Sequence, residues 1–413
     1  MNLQTFKRLT DRIEGYEPEM VQMQIDLCSY PALSPDNGGD GEQEKALYLQ
    51  GSMRRLGLTD IETLPAPDSR VSSGLRPNIL VRLPGHQPDK TVWILTHMDV
   101  VPPGEPSHWA SDPYRAEVRN GRIYGRGTED NQQDLVASIF ALRAFYELGV
   151  TPEYNLGLAL VADEETSSRF GVRHLLDQVK PVFRKNDLIV VPDFGDAEGT
   201  AIEIAEKSLY WLRFRTTGRQ CHGSRPDLGR NAFAAAAHLV VRLRELYDLF
   251  PLRNPLYEPQ ESTFEPTRRD ANVPNVNTIP GDDVFYLDAR VLPEYPLTRV
   301  LEAIRALADD IEQIHQVGIV IETVQSLPAP PPTPADTPVV AALREAVHRV
   351  YGLHAKPVGI GAGTVAALLR QEGYPVAVWS RQNETAHQIN ENCLISNMIG
   401  NAKVFAHLGL NPV

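Results

Sequence analysis

The sequence predicts an α/β domain with a mixed, mainly parallel sheet and helices on both faces, interrupted by an inserted α+β module. Continuous apolar runs at residues 91–96 and 155–162 are typical of strands that are buried on both faces. Helical patterns alternate with such runs, as in parallel α/β sheets. From about residue 208 the strands alternate apolar and polar residues, which favours a half-exposed antiparallel sheet in the module.

The elements of the first part follow from residue spacing. Apolar residues at helical spacing predict helices at residues 18–28, 42–56, 134–148 and 170–179. Short apolar runs bounded by turn residues predict strands at 78–83, 91–96, 155–162 and 187–191.

The inserted module and the last part are predicted in the same way. In the module, we expect strands at 209–216, 284–291 and 318–323 and helices at 232–249 and 298–314. Six prolines in residues 327–338 indicate a stiff linker. After it we expect helices at 339–351, 364–371 and 393–408 and a strand at 376–379. The predicted domains are therefore 1–207 and 326–413, which together form the α/β domain, and 208–325, the inserted module.

Composition excludes several classes of protein. The 413 residues suffice for two or three domains, and 42% hydrophobic with 23% charged residues is typical of a globular protein. The net charge of −13 argues against a nucleic-acid or anionic-membrane partner, which requires a basic surface. Three scattered cysteines, Cys28, Cys221 and Cys393, indicate reduced thiols rather than disulfides. With neither a signal peptide nor an apolar run of membrane-spanning length in the sequence, we expect a cytoplasmic protein.

Chemistry-bearing residues recur where the buried strands end. His97 and Asp99 close one strand, Glu164 and Glu165 follow another, and Asp193 follows a third. Two further groups lie in loops: Asp130 in a Gly-Arg-Gly turn before a helix, and His387 after the last strand. Open α/β sheets bind ligands at the carboxyl ends of their strands, so we expect these groups on one rim.

Clustered carboxylates without a basic neighbour in the sequence need a compensating cation. Mixed imidazole and carboxylate ligands suit zinc and similar metals. Two histidines and three carboxylates suffice for two metals if one carboxylate bridges them. Of the adjacent pair Glu164 and Glu165, one carboxylate is free to move a proton while the other binds metal. The period-two spacing of His97 and Asp99 places the Asp99 carboxylate to orient the imidazole.

These motifs, in this order and over nearly the whole chain, resemble the metallopeptidase M20 family. The family includes acetylornithine deacetylases, succinyl-diaminopimelate desuccinylases, aminoacylases, carboxypeptidases and dipeptidases. The resemblance implies that His97, Asp130 and Asp193 bind one metal, and that Asp130, Glu165 and His387 bind the other. It also implies that Asp99 orients His97 and that Glu164 is the general base.

For the module, the resemblance implies a lid that forms a homodimer, through a helix at 232–249. His222, in Cys-His-Gly-Ser-Arg-Pro, would stabilise the oxyanion. Asn277 and Arg290 would bind the carboxylate or acyl end of the substrate, and Gly363 and Thr364, in Gly-Ala-Gly-Thr, would hydrogen-bond the substrate. Arg381 and Asn383 are further candidates for the pocket.

One departure concerns the residues after Asp130. Many members have Lys and Gly there, whereas this chain has Asn131, Gln132 and Gln133. No ligand is lost, but the departure weakens the analogy with any single branch. The segment from Glu384 to Asn392 looks most like the deacetylase and desuccinylase branch.

The predicted function is hydrolysis of the amide bond of an N-acyl amino acid or short peptide. The expected cofactors are two divalent metal ions, zinc first, with cobalt or manganese as alternatives. One alternative is a dipeptidase or carboxypeptidase of the same family. The other is a non-catalytic relative that binds metal or peptide.

Overall fold

The computed structural model describes residues 3–412. Residues 1 and 413, where the predicted domains begin and end, lie outside the described residues. The helices are α1 (Leu3–Glu14), α2 (Glu17–Cys28), α3 (Gln43–Arg55), α4 (Gln133–Leu148), α5 (Val172–Leu176), α6 (Ala232–Arg242), α7 (Leu246–Leu249), α8 (Leu297–His315), α9 (Pro338–Tyr351), α10 (Ala366–Gln371) and α11 (Ile395–Leu410). In the described range no helix is both long enough and apolar enough to span a bilayer.

The strands are short at the periphery and longest in the two main sheets. They are β1 (Ile61–Thr63), β2 (Ala66–Pro67), β3 (Leu75–Arg76), β4 (Ile79–Leu83), β5 (Gln87–His97), β6 (Glu117–Arg119), β7 (Arg122–Tyr124), β8 (Tyr154–Val161), β9 (Leu188–Asp196), β10 (Ala201–Glu206), β11 (Ser208–Thr217), β12 (Cys221–His222), β13 (Thr263–Arg269), β14 (Thr278–Ile279), β15 (Asp282–Val291), β16 (Gly318–Leu327), β17 (Lys356–Ile360), β18 (Val376–Arg381) and β19 (Asn392–Leu394).

The chain divides into two compact units. The first comprises the residues up to Ile204, Pro332–Val358 and the residues from Thr364 onward. The second comprises Ala205–Pro331 and the short returning segment Gly359–Gly363. No pattern in the sequence predicted that residues 359–363 belong to the second unit. The domain limits at 207/208 and 325/326 stay a prediction.

The large sheet confirms the expected mixed α/β fold. Its eight strands run in the order β1-β4-β8-β5-β9-β18-β10-β17. The central pairs β8–β5, β5–β9 and β9–β18 are parallel, whereas β1–β4, β4–β8 and β18–β10 are antiparallel. Trp93 and Leu95 of β5 pack in a core cluster with α5 and α10, while the alternate residues Val92 and Ile94 are also fully buried. Because alternate residues of a strand point to opposite faces, the central strands are covered on both faces.

The second unit contains an antiparallel sheet in the order β13-β15-β11-β16. Phe214 of β11 pairs with Phe285 of β15, and their rings stack with centroids 4.5 Å apart. Together with Leu239 of α6 and Ile304 of α8, these residues belong to one apolar core. The helix expected at 232–249 is not continuous, because a 3₁₀ turn at Leu243–Glu245 separates α6 from α7.

Candidate metal centre

The side chains predicted at the strand ends lie on one rim of the large sheet. The order β8-β5-β9-β18 is continuous, and its neighbouring pairs are parallel. His97 is the last residue of β5, Glu164 and Glu165 follow β8, and Asp193 lies in the second half of β9. Parallel strands end at the same edge of a sheet, so the topology itself brings these groups together.

The carboxylate of Asp130 lies between the two imidazoles. Its Oδ1 is 2.9 Å from Nε2 of His97, and its Oδ2 is 3.1 Å from Nε2 of His387. Nε2 of His97 is also 3.3 Å from Oδ1 of Asp193, and Nε2 of His387 is 3.0 Å from Oε2 of Glu165. The two oxygens of Asp130 therefore join two groups of donor atoms.

Glu164 belongs to the first of these groups. Single donor atoms of His97, Glu164 and Asp193 all lie within 4.8 Å of one another. The same holds for His97, Asp130 and Glu165. The seven residues predicted for the metals, the base and the orienting carboxylate are thus in one cluster.

Asp99 acts on its neighbours differently from the expectation. Nδ1 of His97 lies 3.0 Å from the main-chain oxygen of Asp99 and 3.6 Å from its carboxylate. The carbonyl orients the imidazole with Nδ1 as the donor, which leaves Nε2 for the cluster. The carboxylate instead accepts the backbone N–H groups of Glu164 and Glu165, each at 3.1 Å. Asp99 therefore fixes the turn that carries both glutamates.

The electrostatics of the cluster favour the uptake of positive charge. Burial opposes protonation of His97, but Asp193 and Asp130 outweigh it and raise its pKa well above the ordinary value. Hydrogen bonds to Asp130 and Glu165 raise the pKa of His387 to about 10. Burial, reinforced by the charge of Asp130, raises the pKa of Glu165 to about 7. The negative charge of neighbouring carboxylates contributes to all three shifts, and this concentration of charge favours a bound cation.

The donor set fits divalent metal ions. Oε1 of Glu165 is buried and has no hydrogen-bond partner, which is costly for a carboxylate oxygen. Imidazole nitrogens and carboxylate oxygens within a few ångströms are the donors that zinc and similar metals take. A bound cation would satisfy the unpartnered oxygen.

Comparison with known proteins agrees with this geometry. The model for Peptidase family M20/M25/M40 matches residues 93–411. The chain belongs to this family. An uncharacterized metallohydrolase from Methanococcus maripaludis is 38% identical over 412 residues, covering 94% of this chain and 97% of the relative.

One further relative by sequence and one solved structure are also similar to this chain. A succinyl-diaminopimelate desuccinylase from Paracoccus denitrificans is 28% identical over 381 residues, covering 91% of this chain and 93% of the relative. The crystal structure of human carnosine dipeptidase 1 covers 98% of this chain and 99% of its own, with a TM-score of 0.73 and 17% identity, so it supports the fold. As an M20 protein, the chain is a metal-dependent hydrolase of amide or peptide bonds.

The second unit of this M20 protein brings together the residues predicted for the lid. His222 of β12 lies opposite Thr278 of β14, and the N–H of Gly223 donates to the main-chain oxygen of Asn277 at 2.7 Å. Nδ1 of His222 lies 2.8 Å from Oγ of Ser224. His222 and Asn277 are therefore neighbours on an exposed edge of the unit.

Arg290 is already paired within its unit. Its Nε and Nη2 donate to the carboxylate of Asp288 at 2.6 and 2.9 Å, and its Nη1 donates to the main-chain oxygen of Gly361 at 2.8 Å. Arg290 thus holds the glycine-rich segment that includes Gly363. In the first unit, Thr364 accepts the N–H of Ala366 through its hydroxyl at 3.2 Å, at the start of α10.

The two further pocket candidates, Arg381 and Asn383, lie in the first unit at the end of β18. Nε of Arg381 donates to the main-chain oxygen of Ala197 at 3.0 Å, and its guanidinium lies over the ring of Tyr351. The N–H of Asn383 donates to the carboxylate of Glu129. The side-chain Nδ2 of Asn383 is buried without a partner.

Four residues around the centre were not predicted from the sequence as site residues. Asn131 donates a hydrogen bond to Asp193. Glu391 accepts the N–H of Asp130, and Glu129 accepts the N–H of Thr385, two residues before His387. Arg76 is a fully buried cation. Arg76 lies 3.6 Å from Asp163, the residue before Glu164, so the fold provides a positive charge behind the glutamate turn that the sequence neighbours lack. The only signal for the first three was their closeness in sequence to Asp130 and His387.

Proposed function

We propose that this M20 protein hydrolyses the amide bond of an N-acyl amino acid, or of a short peptide with a free α-carboxylate, with two divalent metal ions. Zinc is the first choice, and cobalt or manganese are the alternatives. The observation that carries the proposal is the position of Asp130, whose two carboxylate oxygens face His97 on one side and His387 on the other. That is the arrangement of a bridging ligand between two metal sites.

Each proposed metal would have three protein ligands. His97, Asp130 and Asp193 would hold one, and Asp130, Glu165 and His387 would hold the other. Bound divalent metal supplies a Lewis acid for the scissile carbonyl and lowers the pKa of water.

Glu164 is the proposed general base. It takes the proton from the attacking water and returns it to the leaving amine. Burial and the charge of Asp193 raise the pKa of Glu164 well above its ordinary value, which suits a group that must both accept and release a proton. The bond from its N–H to Asp99 holds its main chain in place during both transfers.

The second unit supplies all but one of the proposed substrate contacts, the exception being Thr364 of the first unit. Arg290 and Asn277 anchor the carboxylate or acyl end, since guanidinium binds carboxylate in a bidentate way. His222 stabilises the oxyanion, and Gly363 and Thr364 hydrogen-bond the substrate. We also propose that this unit is a lid that dimerises through α6, because Phe233 and Val241 on this helix are 43% and 65% exposed.

A deacylase is favoured over a dipeptidase or carboxypeptidase. The relative named for desuccinylation is 28% identical over most of both chains, whereas the dipeptidase structure, at 17% identity, speaks for the fold alone. Retention of Glu164 with all five ligands argues against a non-catalytic metal- or peptide-binding relative.

The test is a hydrolysis panel of N-acetyl and N-succinyl amino acids and dipeptides, with Zn²⁺, Co²⁺ or Mn²⁺ added to metal-free protein. We expect turnover that a chelator abolishes and that falls by about 10²- to 10⁴-fold in Glu164→Gln. The matched control is Glu44→Gln, an exposed glutamate on α3, which should leave turnover unchanged. Two bound metals with no turnover of any panel member would contradict the proposal in favour of a binding protein.

A further inference from the structure

Two buried carboxylates connect the segments that carry Asp130 and His387. The first is the Asp130 segment, residues 125–131, and the second is the His387 segment, residues 383–392. Strand β7, which precedes the first segment, pairs with β19 at the end of the second. Each segment also supplies one glutamate that accepts backbone N–H groups of the other.

Glu391 binds the main chain of the Asp130 segment. One of its oxygens accepts the N–H groups of Glu129 at 2.9 Å and of Asp130 at 3.0 Å. The other accepts the N–H of Gly127 at 3.0 Å and Nη1 of Arg126 at 2.6 Å. Glu391 is fully buried, so these four bonds are shielded from water.

Glu129 binds the main chain of the His387 segment in return. Its carboxylate accepts the N–H groups of Asn383 and Thr385 and, at 2.7 Å, the hydroxyl of Thr385. Glu129 is 1% exposed. The Thr385 hydroxyl also accepts the N–H of Asn392 at 3.0 Å, which closes the segment on itself.

The His387 segment needs such restraint. His387 has a φ of 61°, and Glu384 and Asn390 have φ of 60° and 61°, a region that residues with a β-carbon rarely adopt. Backbone of this kind persists only where its surroundings hold it. Glu129 restrains this segment through the N–H of Thr385, which is two residues before His387. Glu391 accepts the N–H of Asp130 itself.

We propose that Glu129 and Glu391 are positioning residues, which fix the separation of Asp130 and His387 and so set the affinity for the metal that these two residues share with Glu165. The inference rests on the proposed function for the identity of the occupant. Both glutamates act through main-chain N–H groups and neither is a ligand. Glutamine at either position replaces one acceptor oxygen of the carboxylate by an NH₂ group. This group is itself a donor and cannot accept the backbone N–H groups that face it.

The test measures metal affinity rather than activity alone. Metal-free wild type, Glu129→Gln and Glu391→Gln are titrated with Zn²⁺ against a chromophoric chelator, and the unfolding temperature of each metal-free protein is recorded. We expect one of the two Zn²⁺ ions to bind about 10- to 100-fold more weakly in either variant, with the other ion changed less. Where activity is measured, kcat should fall more than KM rises.

The matched control is Asp187→Asn. Asp187 is also buried and accepts backbone N–H groups, from Thr91 at 2.9 Å and Arg184 at 2.8 Å, but at the amino-terminal end of β9. It should lower the unfolding temperature without weakening Zn²⁺ binding. If the glutamine variants behave like this control, the two glutamates are merely structural and the inference is wrong.

A milder variant covers the case in which the glutamine variants do not fold. Thr385→Val removes the hydroxyl bonds to Glu129 and to the main chain of Asn392 but keeps the Glu129 carboxylate, and Zn²⁺ affinity should fall several-fold. Unchanged affinity would overturn the inference. Wild-type protein that binds two Zn²⁺ ions and hydrolyses amides would keep the proposed function intact in that event, whereas wild-type protein that binds no metal would overturn both.

Discussion

The side-chain amide of Asn131 donates to Oδ1 of Asp193 across 3.0 Å. The same nitrogen donates to the main-chain oxygen of Pro192 at 2.6 Å, and Asn131 is only 2% exposed. Two bonds shielded from water therefore fix which way the Asp193 carboxylate points. Because Asn131 directly follows Asp130, one dipeptide contains a proposed bridging ligand and orients a second ligand.

Replacing Asn131 should weaken metal binding. Asn131→Ala frees the Asp193 carboxylate to rotate, and we expect about a 10-fold loss of affinity for one of the two metals, as for other residues that orient ligands. Competition with a chelator measures this loss. The control is Asn186→Ala, an exposed asparagine of the same unit. Equal affinities of wild type and Asn131→Ala would show that Asp193 needs no orienting group.

Replacing Asp99 should reduce turnover through the glutamate turn. Asp99→Ala leaves the N–H groups of Glu164 and Glu165 without an acceptor, so both carboxylates lose their position. We expect kcat to fall about 10- to 100-fold, and less in Asp99→Asn, which keeps one acceptor oxygen. The control is Asp112→Ala, which removes an exposed carboxylate that accepts the N–H of Tyr114. The prediction would be wrong if kcat fell in Asp99→Asn but stayed unchanged in Asp99→Ala.

The fold could be predicted where a residue pattern has one physical meaning. Buried runs such as the one in β5 predict central parallel strands, and the alternating run in β11 predicts a half-exposed antiparallel strand. Among the strands of the two main sheets, β1, β10, β13 and β17 were not predicted, α1 was not predicted either, and α6 and α7 were predicted as one helix. Short strands and helix breaks depend on tertiary contacts, which outweigh weak local preferences.

The centre was predictable to the extent that strand ends determine it. Because β5 and β9 are parallel neighbours, His97 and Asp193 lie on one rim of the sheet. Their residue types and their positions at strand ends were enough to predict that they lie close together. The contacts that Asn131 and Glu391 make with the proposed ligands could not be predicted, because these hydrogen bonds join segments that are distant in the sequence. Nδ1 of His97 lies closer to the main-chain oxygen of Asp99 than to its carboxylate, and spacing in the sequence does not distinguish these two acceptors of one residue.

Arg290 should contribute to substrate binding rather than to the chemical step. Arg290→Ala removes a charge-assisted bond to a substrate carboxylate, and we expect KM to rise about 10- to 100-fold with a smaller change in kcat. The effect should vanish when the substrate carboxylate is replaced by its carboxamide. The control is Arg213→Ala, which breaks a pair with Glu322 in the same sheet. An equal rise in KM for the acid and the amide would remove Arg290 from carboxylate recognition.

A buried histidine outside the proposed metal centre should make the fold sensitive to acid. His407 of α11 is fully buried, packs edge-on against Phe6, and has no hydrogen-bond partner for either ring nitrogen. Burial lowers its pKa from 6.5 to about 4. The unfolded chain therefore binds the proton more tightly than the folded protein does. Stability from this residue is fully present above pH 6.5 and is lost as the pH falls from 6.5 to about 4.

His407→Leu should remove this sensitivity, because leucine fills the apolar site without a titrating group. Relative to wild type, the free energy of unfolding of the variant should increase by about 2–3 kcal/mol between pH 8 and pH 4. Urea unfolding of both metal-free proteins at several pH values measures the difference, in which other titrating groups cancel. The control is His86→Leu, which replaces an exposed histidine of the same unit by the same residue. A constant difference for His407→Leu would show that the buried imidazole takes up its proton without cost to the fold.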